Sequence, residues 1–200
     1  MLSRDRVEEI FSETGALLEG HFLLTSGRHS GQYMQTAHIL QYPRYTEELA
    51  QSLAEEFACD GIDVVAGPAI AGIILAYEIA RRLNARSLFT ERENGVMTLR
   101  RGFIIERGER VLVAENVITT GGTVFETLNL IRERGGVAAG VAVLADRSMG
   151  TIDFGVKLRA AYTADVKSWE ADVCPLCKEN AIPLVKPGGR IIPQASEVKA

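Results

Sequence analysis

Three short apolar runs that fail to alternate set the tightest limit on what this chain can fold into. They are 63–66 (DVVA), 111–114 (VLVA) and 137–145 (VAAGVAVLA). A strand with one wet face alternates apolar and polar residues, whereas a strand covered on both faces reads as a continuous apolar run. Helical stretches separate these runs. In 43–58, Tyr45, Leu49, Leu53 and Phe57 recur at helical spacing behind Pro43, which suits a first helical turn. Residues 71–83 are rich in Ala, Ile and Leu, and 123–134 stop at Gly135-Gly136. Buried strands alternating with helices predict an α/β fold with a central parallel sheet and right-handed crossovers. Segments 87–90 and 158–161 read as further short strands. Residues 3–13 form an amphipathic helix with Val7, Ile10 and Phe11 on one face. Residues 22–25 and 32–35 read as strands around the Gly-rich turn 26–31, and 91–103 as a long loop or exposed hairpin.

Two hundred residues suit a single domain, 1–200, that can bury a core without staples. The formal net charge of −4 argues against a nucleic-acid partner, which selects for basic excess. No run approaches the roughly 20 apolar residues that cross a bilayer. The start, MLSRDRVEEIF, does not read as a signal peptide, so a cytoplasmic location is expected. The tail 187–200 is rich in Gly, Pro and polar residues and is expected to lean toward disorder.

In a parallel sheet the ligand site lies beyond the carboxyl ends of the strands. Segments 67–72, 90–92, 115–123 and 146–148 should converge there. The richest is 111–123, VLVAENVITTGGT: an apolar strand, an acid, a loop of hydroxyls and glycines, then a helix. Glycine lets the backbone approach a ligand closely, and loop N–H groups with a helix N-terminus favour an anion. Thr119, Thr120 and Thr123 can donate to phosphate oxygens, and Glu115 can accept from sugar hydroxyls. A plain strand-to-helix turn with a threonine cap fits the same letters. Neither the Walker pattern nor G-x-G-x-x-G is present.

This segment resembles the signature by which type I phosphoribosyltransferases bind 5-phosphoribosyl 1-pyrophosphate (PRPP). The segments 24–30 (LTSGRHS), 67–72 (GPAIAG), 90–95 (TERENG) with 99–102 (LRRG), and 145–148 (ADRS) narrow the resemblance to orotate phosphoribosyltransferases. It runs from about residue 15 to 190. The resemblance implies a Rossmann-like central parallel sheet flanked by helices, with a small hood from about 1–40 and 165–190. It implies PRPP and orotate as substrates, Mg²⁺ brought in through PRPP rather than by direct side-chain ligation, and a homodimer. It assigns PRPP binding to Glu115, Asn116, Val117, Ile118, Thr119, Thr120, Gly121, Gly122 and Thr123, and orotate contact to Thr119 and Arg147. Residues 91–102 become a closing loop carrying Arg92, Arg100 and Arg101. Glu115, Asn116 and Arg92 are the expected catalytic set. A phosphoribosyltransferase for another base, and a PRPP-binding regulator of reduced activity, are the alternatives.

The chain departs from the family pattern in places. Asn116 stands where an aspartate is usual, so it supplies a hydrogen bond but no charge. Arg92, Ala71 and Thr25 occupy regions where the better-known bacterial members carry lysines. Arginine stabilises charge but is a poor proton donor, which leaves any general acid unassigned. Cys174-Pro-Leu-Cys177 has the spacing of half a zinc site. Cys59 and the scattered His21, His29 and His38 offer no second pair at recognisable spacing, so a structural turn is expected at the cysteines.

Overall fold

In the computed structural model, residues 1–24, 26–164 and 166–187 are described. Thr25 and the tail 188–200, both read above from the sequence, lie outside the described residues. Ser3 accepts a hydrogen bond from the Arg6 N–H and starts α1 (Arg4–Glu13). Strands β1 (Leu17–Leu23) and β2 (His29–Met34) follow. The single turn α2 (Ala37–Leu40) leads to α3 (Pro43–Glu55), which has proline in its first turn as expected. Then come β3 (Val64–Pro68), α4 (Ala71–Leu83), β4 (Arg86–Glu93), β5 (Val96–Leu99), β6 (Arg110–Ile118), α5 (Gly122–Glu133), β7 (Val137–Asp146) and β8 (Leu158–Thr163). Strand β9 (Ser168–Trp169), α6 (Pro175–Glu179) and β10 (Leu184–Val185) complete the described chain.

The described chain divides into two compact units, 1–17 with 35–164, and 18–34 with 166–187. The first holds a six-stranded sheet in the order β5-β4-β3-β6-β7-β8. Strands β4, β3, β6, β7 and β8 run parallel; β5 alone is antiparallel, as the return arm of a hairpin from β4. The Asn94-Gly95 turn of that hairpin has positive φ at both residues, 52° and 85°, the backbone that two-residue hairpins favour. The central parallel sheet read from the sequence is therefore present, and 91–103 takes the hairpin form for much of its length.

The absence of alternation has the expected cause. Val64, Ala66, Val111, Val113, Val141 and Val143 share one buried cluster with Leu128 and Ile131 of α5. The intervening Val65, Leu112, Ala142 and Leu144 point to the opposite face and are equally buried. On that face α4 approaches closely, because a Cβ on Gly72 would lie 2.9 Å from the Ala114 carbonyl oxygen of β6. Several boundaries differ from the sequence reading: β1 is Leu17–Leu23 rather than 22–25, β2 starts at His29 inside the stretch read as a turn, and β4 runs on to Glu93 beyond 87–90. Strand β6 does not end at Ala114 but continues to Ile118, because Glu115, Val117 and Ile118 pair with Val143, Ala145 and Asp146 of β7. The polar pair Glu115-Asn116 has the composition of a loop start but is strand.

The second unit is a small sheet in the order β10-β1-β2-β9, with α6 beside it. Here one sequence expectation is corrected. Cys174 and Cys177 do have a second pair: His21 on β1 and His29 on β2 bring their ring nitrogens to the two sulfurs. Neighbouring strands join this pair, and no spacing in the sequence announces it.

Candidate active site

Strand β6 delivers Glu115–Ile118 to the carboxyl edge of the sheet, and α5 leaves from the same place. Between them 119–121 make a short loop whose turn rests on Gly121. Its φ is +74°, and a Cβ there would lie 2.8 Å from the Phe154 ring. Gly121 is also the N-cap of α5, and no side chain caps that helix. The threonine-cap reading of this loop thus loses its support. The first N–H groups of a helix have no partners within it, and uncapped they are available to an anion.

The loop walls a cleft of about 290 Å³ lined by Glu115, Val117, Ile118, Thr119, Thr120, Gly121, Gly122 and Thr123, with Arg92, Val124 and Glu126. Eight of the nine residues assigned to phosphosugar binding from the sequence are in this lining. The ninth, Asn116, is not in the lining and donates from Nδ2 to Thr36 Oγ1 at 2.9 Å. Its backbone N–H donates to Glu115 Oε1 at 2.8 Å. Glu115 is 7% exposed, and burial pushes its carboxyl up to about 7, against the opposing pull of that N–H.

The arginines are held by acids. Arg92 pairs with Glu126 at 2.7 Å and donates to the Gly95 carbonyl at 3.0 Å. Arg101 pairs with Glu91 at 3.0 Å, and Arg100 lies 3.4 Å from Glu93. Such exposed pairs are worth about 0–1 kcal/mol, so they yield readily to a more highly charged ligand. Arg92 reaches the cleft; Arg100 and Arg101 are not in its lining. Arg147 is outside the lining too, but its backbone N–H donates to the Ile118 carbonyl at 2.9 Å, which sets it beside the start of the loop. Asp146 fixes the turn that follows, accepting from the Ser148 N–H, the Ser148 hydroxyl and the Gly150 N–H at 2.7, 2.6 and 3.0 Å.

Sequence reasoning missed Glu126 and Val124. Glu126 stands four residues after Gly122 on α5 and so shares its face, whereas Val124 is a fully buried core residue only two positions after it. Helix periodicity from Gly122 was the available signal for Glu126, and Val124 had none.

The phosphoribosyl transferase domain model matches residues 36–154, all within the first unit. An orotate phosphoribosyltransferase of Pelotomaculum thermopropionicum is 58% identical over 96% of this chain and 100% of its own length. The chain belongs to the orotate phosphoribosyltransferase family. A second member, from Desulforamulus reducens, is 51% identical over 96% of this chain and 100% of its own. The crystal structure of the orotate phosphoribosyltransferase from Aeropyrum pernix shares the fold, with a TM-score of 0.67 at 24% identity. That similarity covers 78% of this chain and 93% of the other. In this orotate phosphoribosyltransferase family member the loop 119–121 occupies the strand-to-helix junction that the sequence marked.

Proposed function

We propose that this chain transfers the 5-phosphoribosyl group from PRPP to orotate, giving orotidine 5′-monophosphate and pyrophosphate. The observation that carries the reading is the uncapped N-terminus of α5, opening into a cleft with Glu115 on its strand side. The N–H groups and threonine hydroxyls at 119–123 grip the 5-phosphate, and Glu115 accepts from a ribose hydroxyl. As the anomeric C–O bond breaks, positive charge builds on the ribose and negative charge on the departing pyrophosphate. A carboxylate and an always-charged guanidinium in one cleft answer those two charges. Arg92 leaves Glu126 to meet the pyrophosphate, joined by Arg100 and Arg101 as the 91–102 hairpin closes. Thr119 and Arg147 receive orotate, whose carboxylate matches the guanidinium fork.

The cleft's donors are oxygens, from one unpaired acid and several hydroxyls, the set a hard divalent cation takes. One such acid is too few for a dedicated cage and suits Mg²⁺ carried on substrate phosphates. When bound, the cation neutralises charge on the leaving group. The proposed working unit is a homodimer, which sedimentation velocity would test, and the proposed compartment is the cytoplasm. No helix among the described residues is long and apolar enough to cross a membrane.

Purified protein should consume PRPP only with Mg²⁺ and orotate, and not with hypoxanthine, adenine or uracil. Turnover with one of those bases would replace orotate as the acceptor, and tight PRPP binding without turnover would make the chain a regulator. Asn116→Asp should raise kcat several-fold, up to about tenfold, with the KM for PRPP little changed. The added negative charge favours the ribose cation, and the Thr36 hydroxyl can turn from acceptor to donor to hold the new carboxylate. An unchanged or lower kcat would reject a catalytic handicap at position 116.

A further inference from the structure

The second unit brings four metal-ligating atoms to one point, away from the phosphate-binding loop in sequence and in compact unit. His21 Nε2 lies 3.1 Å from His29 Nδ1, 3.5 Å from Cys174 Sγ and 3.6 Å from Cys177 Sγ. His29 Nδ1 lies 3.2 Å from Cys177 Sγ. All four atoms are within 4.8 Å of one another. We propose that His21, His29, Cys174 and Cys177 bind one zinc ion in a closed tetrahedral site.

The distances lie at or slightly inside the edges of such a tetrahedron: 3.5 and 3.6 Å fall on them, and 3.1 and 3.2 Å are one or two tenths of an ångström short. Zn–N bonds of about 2.0–2.1 Å and Zn–S bonds of about 2.3 Å place neighbouring ligand atoms about 3.3–3.8 Å apart. Hydrogen bonding alone accounts poorly for the cluster. The Nδ1 of His21 lies 3.2 Å from the Ile182 carbonyl oxygen, which can only accept, so that nitrogen carries the proton. Nε2 is the ring's one remaining polar atom, and it faces three heteroatoms, more than a single hydrogen bond can serve. A cation at their centre satisfies all of them. The same carbonyl contact fixes the ring and its tautomer, as outer partners of ligating histidines do. His21, His29 and Cys174 are buried, at 3%, 5% and 0% exposed, and the cysteines are not joined as a disulfide.

Two thiolates and two imidazoles in a tetrahedron favour zinc over the hard cations, which take oxygen. Four protein ligands leave no open position, so the site is structural rather than catalytic. It also answers a packing problem. Helix α6 buries none of its side chains, and Leu184 and Val185 of β10 are exposed. With so little apolar area the 166–187 segment needs another fastening to β1 and β2, and the metal supplies it. His29 lies inside the SGRHS segment that the family resemblance ties to orotate, yet its ring is committed to this cluster rather than free for a ligand.

The test uses the full chain, purified without affinity metals. Elemental analysis should find about one zinc per chain, and Cys174→Ser or His29→Gln should lose most of it while Cys59→Ser keeps it. Because those variants could unfold, the wild-type chain is also exchanged with Co²⁺. A thiolate-to-cobalt charge-transfer band with the intense visible bands of a tetrahedral ion is expected. Removing the metal by chelation should lower Tm. Protein that takes up neither metal, or that holds Cys174 and Cys177 as a disulfide by non-reducing mass spectrometry, would overturn the proposal.

Discussion

Gly121→Ala should lower kcat/KM for PRPP by about a hundredfold, the scale of loss expected when a positioning loop moves by an ångström. Two independent penalties act at this residue. Its φ of +74° lies in the left-handed region, which costs an L side chain roughly 1–2 kcal/mol. The new Cβ would also meet the Phe154 ring at 2.8 and 2.9 Å. Phe154 cannot easily retreat, since it is 4% exposed and packs on Phe125 with ring centroids 4.7 Å apart. The loop must therefore shift, and with it the N–H groups that start α5. Steady-state kinetics reads the loss, and an unchanged far-ultraviolet circular dichroism spectrum excludes global unfolding. Adding Phe154→Leu relieves the clash but leaves φ, so the double variant should recover only part of the activity. A Gly121→Ala protein with the parent's kcat/KM would remove this loop from the site.

The parts of the fold that showed in the sequence are those whose cause is local. The runs 63–66, 111–114 and 137–145 betrayed a doubly covered sheet because nearly every residue in the strands they form is buried at the centre, whichever face it points to. The loop was visible as a strand-to-helix junction because its glycines and threonines are contiguous in sequence, but only the uncapped start of α5 separated a phosphate loop from a threonine-capped turn. What stayed hidden depends on partners far along the chain. Glu115 and Asn116 read as loop because they are polar, yet β7 pairs with this stretch and keeps it extended to Ile118. His21 and Cys174 stand 153 positions apart, and only the return of the chain beside β1 and β2 brings them together. The arginines could be named, but not their parking places on Glu126, Glu91 and Glu93.

Glu115 sets the second large effect, and it concerns pH. Its carboxyl ordinarily titrates near 4.5, and burial in the folded chain raises it to about 7. The folded state thus binds the proton more tightly than the unfolded chain. The stability this contributes is fully present below pH 4.5, falls as pH rises through the window to about 7, and is absent above it. The whole change is on the order of 3 kcal/mol, since each pH unit between the two titrations is worth about 1.4 kcal/mol. Glu115→Gln keeps the acceptor for the Asn116 N–H but cannot ionise. In urea titrations at about pH 5 and about pH 8, the parent should lose stability relative to the variant by roughly that amount. Parallel profiles would mean that Glu115 titrates normally. Catalysis should run the other way. The ionised carboxylate is the form that steadies a ribose cation, so kcat/KM should climb with pH through the same window in the parent and lose that limb in Glu115→Gln. A residue whose charge opposes folding where it assists turnover has a functional reason to be an acid, and opposite slopes in the two measurements would establish it.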